Sequence, residues 1–170
     1  AAVQIGVITL ERNSLTDNVE LTPETIMQLL NKSVYKTGRG EIRMSFFIGM
    51  VEPYENRLTF CNASHPFPFQ CKQDPENPDD IREKKSLNIL KSKPGEILGN
   101  RLGTEYHDTI GEFNDGDSIV LYTDGILEAV NPEDKMYGKG KFMKSIYKMS
   151  HKTPSDIREN ILGNANSYFD

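Results

Sequence analysis

The chain has 170 residues, enough for one domain with a substantial core and too few for two comfortable ones. Its 20 Lys plus Arg stand against 25 Asp plus Glu, and the net charge of -5 leaves no electrostatic footprint for nucleic acid or for an anionic membrane. No apolar run approaches the roughly 20 residues of a bilayer span, and the opening AAVQIGVITL lacks the basic segment of a signal peptide. The expectation is therefore one cytoplasmic domain over residues 1–170.

In chain order, Val3, Ile5 and Val7 alternate as a strand would, while the two leading alanines and LERN also suit a helix; local pattern favours strand. Thr22-Pro23-Glu24 reads as an N-cap followed by proline at the first helical position, with Ile26, Leu29, Leu30 and Val34 at helical spacing and Gly38 as the stop. From Arg43 to Val51 the period changes to two, placing Met44, Phe46, Ile48 and Met50 on one side. RLTFCNA resumes strand character after the polar EPYEN, which predicts an antiparallel hairpin. Residues 72–86 are charged, carry Pro75 and Pro78, and read as an exposed loop. A strand ending at Tyr122 follows later. Phe142, Ile146 and Met149 then mark one helix, and Thr153-Pro154 opens another that is expected to bury Ile157, Ile161, Leu162 and Ala165. Cys61 and Cys71 could face each other across a hairpin, but two cysteines in a chain of this size suit reduced core thiols better, and their spacing fits no zinc pattern.

Chemistry first suggests itself where DSIVLY runs into Thr123-Asp124-Gly125. An aspartate at the end of a buried strand can present a carboxylate at the rim of a sheet, and a following glycine can let the backbone turn and an ion or phosphate come close. The same three letters can also make only a turn and a cap, and taken alone they favour that reading. A haloacid-dehalogenase-type phosphatase would need a nucleophilic Asp two residues before Asp124, where Tyr122 stands. NDGDSIVLYTDG lacks the order of carboxylates, central glycine and final glutamate of a calcium loop.

Longer motifs carry more. MSFFIGMVEPYENRLTFCNASHPFPF is similar to the strand, turn, strand and Asn-Ala-Gly-His-Pro signature of the SpoIIE-like branch of the PPM family, the metal-dependent protein serine/threonine phosphatases, with Ser64 where glycine is usual. FNDGDSIVLYTDGILEAVNPEDKMYG resembles that family's Gly-Asp, Leu-Tyr-Thr-Asp-Gly and Glu-Ala elements, in the same order. The resemblance implies an α+β fold, a PPM-type α-β-β-α sandwich of two mainly antiparallel sheets flanked by helices. It implies a binuclear Mg²⁺ or Mn²⁺ centre at one end of the sheets, with Asp124 as a metal ligand and Gly125 beside it. In such a centre the two cations bind the substrate phosphate and activate a water for attack on phosphorus. The resemblance further implies a helix over Ala1 to Leu15, paired with the helix at 23–37, the pair through which regulatory domains or partners switch such enzymes.

The family's first metal element would precede Ala1 and its closing Asp-Asp-x-Thr strand would follow Asp170. The expectation is thus a fold truncated at both ends, a fragment of a larger regulatory protein with an upstream sensory or regulatory domain, weak in metal binding and inactive alone. The implied substrate is a phosphorylated regulatory protein such as an anti-sigma-factor antagonist; neither nucleic acid nor a membrane span is expected. The alternative is a non-catalytic interaction domain that keeps the sandwich. Asn62 and His65, within NASHP, read as residues that shape the site. Glu128 reads either as a residue that orients the Asp124 loop or as an exposed helical glutamate, Asp117 as a turn residue, and His107 and His151 as solvated surface.

Overall fold

A computed structural model describes residues 21–73, 87–93 and 95–169. The stretch at Ala1–Leu15 and residues 74–86 of the charged loop lie outside the described residues.

Helix α1 spans Pro23–Gly38 and begins as its sequence requires: the Thr22 side chain accepts from the Thr25 backbone N–H, and Pro23 occupies the first turn. Arg39 ends it in the left-handed region at φ 51°. Its inward face differs from the expected one. Met27 and Asn31 are fully buried and Leu30 and Val34 pack beside Met27, whereas Leu29 is 55% exposed. Pro23, Met27 and Asn31 are four residues apart, so they stack on one stripe, and Leu29 points away from it.

Strands β1 (Phe46–Glu52) and β2 (Arg57–Ala63) form the expected antiparallel hairpin, in register from Phe46 opposite Ala63 to Glu52 opposite Arg57. A short 3-10 turn at Pro53–Glu55 joins them, closed by Asn56 at φ 48°, a conformation asparagine accepts readily. Strand β5 (Thr109–Glu112) pairs antiparallel with the other edge of β2. In the second sheet β3 (Phe69–Cys71) lies between β4 (Leu87–Ile89) and β6 (Ser118–Val120), antiparallel to both. Three helices follow: α2 (Asp124–Glu128), α3 (Gly138–Met149) and α4 (Pro154–Phe169).

Three hydrophobic clusters show how the layers stack. Met27 of α1 packs with Cys61 and Ala63 of β2 and with Phe46 and Ile48 of β1. The alternate residues of the same strands, Leu58, Phe60 and Phe47, pack with Leu90 and with Ile119 of β6, which joins sheet to sheet. Phe69 and Cys71 of β3 then pack with Phe142 and Ile146 of α3 and Ile157, Ile161 and Ala165 of α4. The order is helix, sheet, sheet, helices: the expected α-β-β-α sandwich, whose period-two strands feed two different cores from their two faces. Leu162, expected to be buried, lies on the outer face of α4 at 47% exposure, and Met44, read as the start of the period-two run, is 42% exposed and lies before β1 begins. The thiols of Cys61 and Cys71 are unpaired and buried, and they sit in different sheets.

Candidate functional site

The register of the second sheet fixes where the candidate residues can meet. Phe69 lies opposite Val120. The turn that leads into β3 and the segment that leaves β6 therefore share one end of the sandwich, and NASHP and Thr123-Asp124-Gly125 share that rim.

Asp124 is exposed and opens α2. Its anchor is Tyr122, two residues earlier and buried: the ring stacks on Phe69 at 5.7 Å and meets Phe142 at 4.7 Å. Ile126 and Leu127 of α2 pack on the same cluster. The backbone on both sides of Asp124 is thus held by apolar contacts while its carboxylate faces outward. Burial first, and the negative charge of Asp124 second, raise the Tyr122 hydroxyl above the ordinary phenol range. Gly125 does not use a glycine's freedom to turn. It is helical, lies outside the left-handed region, and an added Cβ would make only an ordinary 3.6 Å contact with Thr123 Oγ1.

Asn62 and His65 are brought together by reciprocal bonds. The His65 backbone N–H donates to Asn62 Oδ1 at 2.8 Å, and Asn62 Nδ2 donates to the His65 carbonyl at 3.0 Å. The His65 ring nitrogen Nδ1 bonds the Pro66 carbonyl at 2.8 Å. Between them Ser64 adopts φ 56°, the left-handed conformation that favours glycine, and donates its hydroxyl to the Gly95 carbonyl at 2.8 Å. That φ explains in physical terms why the related motif carries glycine here. Gly95 itself is required, because a Cβ on it would lie 2.4 Å from the Asn62 carbonyl. These contacts shape a turn; neither residue shares a hydrogen bond with Asp124 among the described residues.

Asp117 organises the opposite end of β6. It accepts from the backbone N–H groups of Gln73 at 3.0 Å and Asn114 at 3.1 Å, and from Gln70 Nε2 at 2.8 Å. Gln70, 1% exposed in β3, also donates to the Glu112 carbonyl of β5, so one side chain ties the two sheets together. Sequence reasoning did not single out Gln70, although a glutamine inside the apolar run PFPFQC is the kind of residue that signals a buried polar tie. Glu128 is exposed, as is His107. His151 departs from the solvated-surface reading: it is half-buried, and its Nδ1 is buried without a hydrogen-bond partner among the described residues.

Against the implied pair of divalent cations, the described residues fit one ligand position. Asp124 offers an exposed anionic oxygen donor, the hard type such ions take. No group of three or more His, Cys, Asp or Glu able to hold a metal ion occurs among the described residues, so these residues do not by themselves make a two-ion centre.

Over residues 1–169 the chain matches the family described as Stage II sporulation protein E (SpoIIE). Among solved structures it is similar to the RsbU and RsbW domains of Rv1364c from Mycobacterium tuberculosis, at 18% identity and a TM-score of 0.65, over 87% of this chain and 38% of that one. It is also similar to the phosphatase domain of the cell fate determinant SpoIIE from Bacillus subtilis, at 9% identity and a TM-score of 0.44, over 96% of this chain and 74% of that one. The first likeness bears on the fold, and the chain spans well under half of that structure's length. No curated protein matches the chain. Among the described residues no helix is long and apolar enough to cross a membrane.

Proposed function

The chain belongs to the SpoIIE family, and we propose that it is the phosphatase domain of a PPM-type protein serine/threonine phosphatase acting on a phosphorylated regulatory protein. The observation that carries the reading is the exposed Asp124 carboxylate at the start of α2, just past the end of β6, on the rim shared with the NASHP turn, in a chain that matches the family over residues 1–169. An anti-sigma-factor antagonist is the substrate class we favour, on family likeness. A cytoplasmic setting suits two buried, unpaired thiols.

In this reading Asp124 is a metal ligand, held at the rim by the Tyr122 stack on one side and by Ile126 and Leu127 on the other. Asn62 fixes the turn that carries His65, and the two shape the neighbouring wall without touching the reacting atoms. Bound Mn²⁺ or Mg²⁺ would supply charge neutralisation for the phosphoryl group and a lowered pKa for water. No nucleophilic side chain is needed.

The test is Mn²⁺-dependent release of phosphate from a phosphoserine protein by the complete domain and its Asp124→Asn variant. We expect a loss of at least about a hundredfold, since a neutral amide is a poor ligand for a hard cation. Activity within a few-fold of the parent removes Asp124 from the site. Residues 1–170 alone should bind Mn²⁺ weakly and release no appreciable phosphate, because the single ligand position found among the described residues competes poorly with hydration. Calorimetric binding of two ions at micromolar affinity would overturn that expectation. A complete domain that binds a protein partner but neither metal nor phosphate would favour the non-catalytic alternative.

A further inference from the structure

Residues 135–152, KMYGKGKFMKSIYKMSHK, contain six lysines (135, 139, 141, 144, 148 and 152) and no Asp or Glu, in a chain whose net charge is -5. Helix α3 arranges three of them as a wall. Lys141, Lys144 and Lys148 are spaced i, i+3 and i+7, which puts them on one face over about 10 Å of helix. That face borders a groove of about 270 Å³ between α3 and α4. Its floor is Tyr137 and Ser145, whose hydroxyls bond each other at 2.9 Å, and its far wall carries Asn164, Ser167 and Tyr168.

Besides its three ammonium groups the lining has five polar side chains with hydroxyl or amide donors, and no carboxylate. Lys141 is partly engaged, with Nζ 4.3 Å from the Tyr168 ring centre and 3.3 Å from the Tyr137 carbonyl. Lys144 and Lys148 form no ion pair with any described residue and are exposed. Lys148 lies in the last turn of α3, where the helix dipole favours a cation, but no such account covers Lys144. Concave walls of one sign concentrate potential, so an anion here meets several ammonium groups at once.

We propose that this groove binds a small anion bearing a chain of phosphates. Lysines line it, and their point-like ammonium groups with rotatable donors can turn toward the several oxygens of a tetrahedral phosphate. The 10 Å spread of the lysines exceeds the reach of one phosphate and suits two or three in line. The site is independent of the Asp124 reading and uses none of its residues.

The test is calorimetric titration of the chain with inorganic tripolyphosphate in metal-free buffer, with an ATP arm to separate a nucleotide from a bare phosphate chain. Saturable 1:1 binding is expected, weakened about tenfold by Lys144→Glu and more by Lys144→Glu with Lys148→Glu, since each removes a charge-assisted hydrogen bond. Lys32→Glu, on exposed α1 surface, should leave binding unchanged, and Lys144→Arg should retain most of it. Equal affinity for both ligands supports the phosphate chain as the determinant, and tighter ATP binding supports a nucleotide. No saturable heat, equal weakening by Lys32→Glu, or equal displacement by sulfate at matched ionic strength would overturn the proposal.

Discussion

Replacing Phe142 by Ala tests the support on which Asp124 stands. The ring is 1% exposed and lies 4.7 Å from the Tyr122 ring and 6.1 Å from that of Phe69, so it closes the cluster joining β3, β6 and α3. Lost transfer of the ring's apolar surface costs about 2–3 kcal/mol, and two ring pairs add about 1–2 kcal/mol together. The sum of about 4 kcal/mol agrees with the range of about 3–5 kcal/mol for burying an alanine where a phenylalanine packed. Against a typical total of about 5–15 kcal/mol that is a large fraction. Urea unfolding followed by circular dichroism reads it directly: with a slope of about 2 kcal/mol per molar, the midpoint should fall by about 2 M at unchanged slope. Phe142→Leu keeps much of the apolar volume but loses both ring pairs, and should cost about 1–2 kcal/mol. A fall of less than about 0.5 M for Phe142→Ala would mean that the ring is not a packed member of this cluster, and the account of how the rim is held would fail.

Asp117→Ala should cost about 2–3 kcal/mol, because it strands two backbone N–H groups and removes one of the two bonds of the Gln70 amide. A thermal melt should record a drop of about 5–10 °C, and a shift under 2 °C would remove Asp117 from its organising role. The buried thiols give a pH dependence. Burial, with Asp108 second, pushes Cys61 up to about 11, and burial, with Asp117 second, pushes Cys71 up to about 12. Above the ordinary thiol range near pH 9 the unfolded chain releases these protons while the folded one keeps them. The folded state then binds more protons, so their contribution is fully present below pH 9 and is lost as pH climbs toward 11–12. Urea midpoints at pH 8 and pH 10 should show the decline, and replacing both cysteines by alanine should abolish that part of it. An undiminished decline in the double variant would assign it to other groups.

Legibility followed the size and periodicity of each signal. Thr22-Pro23 at the start of α1 and the Phe46–Ala63 hairpin were readable because capping chemistry and period-two alternation are local. The pairing of β3 with β4 and β6 was not, because three-residue strands show too little periodicity and their partners are set by the packing of sheet on sheet. The inward face of α1 was misjudged for a related reason. The residues read at helical spacing, Ile26, Leu29, Leu30 and Val34, leave out Met27, and only the position of β2 decides that Met27 is covered and Leu29 is not. Gly95 and Gly99 passed unnoticed in KPGEILGN, yet each is where one backbone presses on another: a Cβ on Gly99 would lie 2.2 Å from the Ile42 carbonyl. At the rim, Asp124 is visible in the sequence as a carboxylate after an apolar strand, although β6 stops at Val120 rather than Tyr122 and Asp124 opens α2; the aromatic stack behind it, Phe69 of β3, Phe142 of α3 and Tyr122 between β6 and α2, is distributed through the chain.

The two aspartates that flank β6 separate fold from function by the direction of their contacts. Asp117 turns its oxygens inward to three donors, one of them the glutamine that ties the sheets, so changing it disturbs folding and any activity together. The Asp124 side chain has no hydrogen bond with any described residue, and the anchoring around it comes from its neighbours Tyr122, Ile126 and Leu127. A carboxylate that the fold holds in place but does not use is removable without a stability penalty beyond the few tenths of a kcal/mol usual for an exposed site. Loss of activity in Asp124→Asn, with an unchanged melt, would therefore report on what the carboxylate binds outside the chain. The same loss in Asp117→Ala would carry no such meaning.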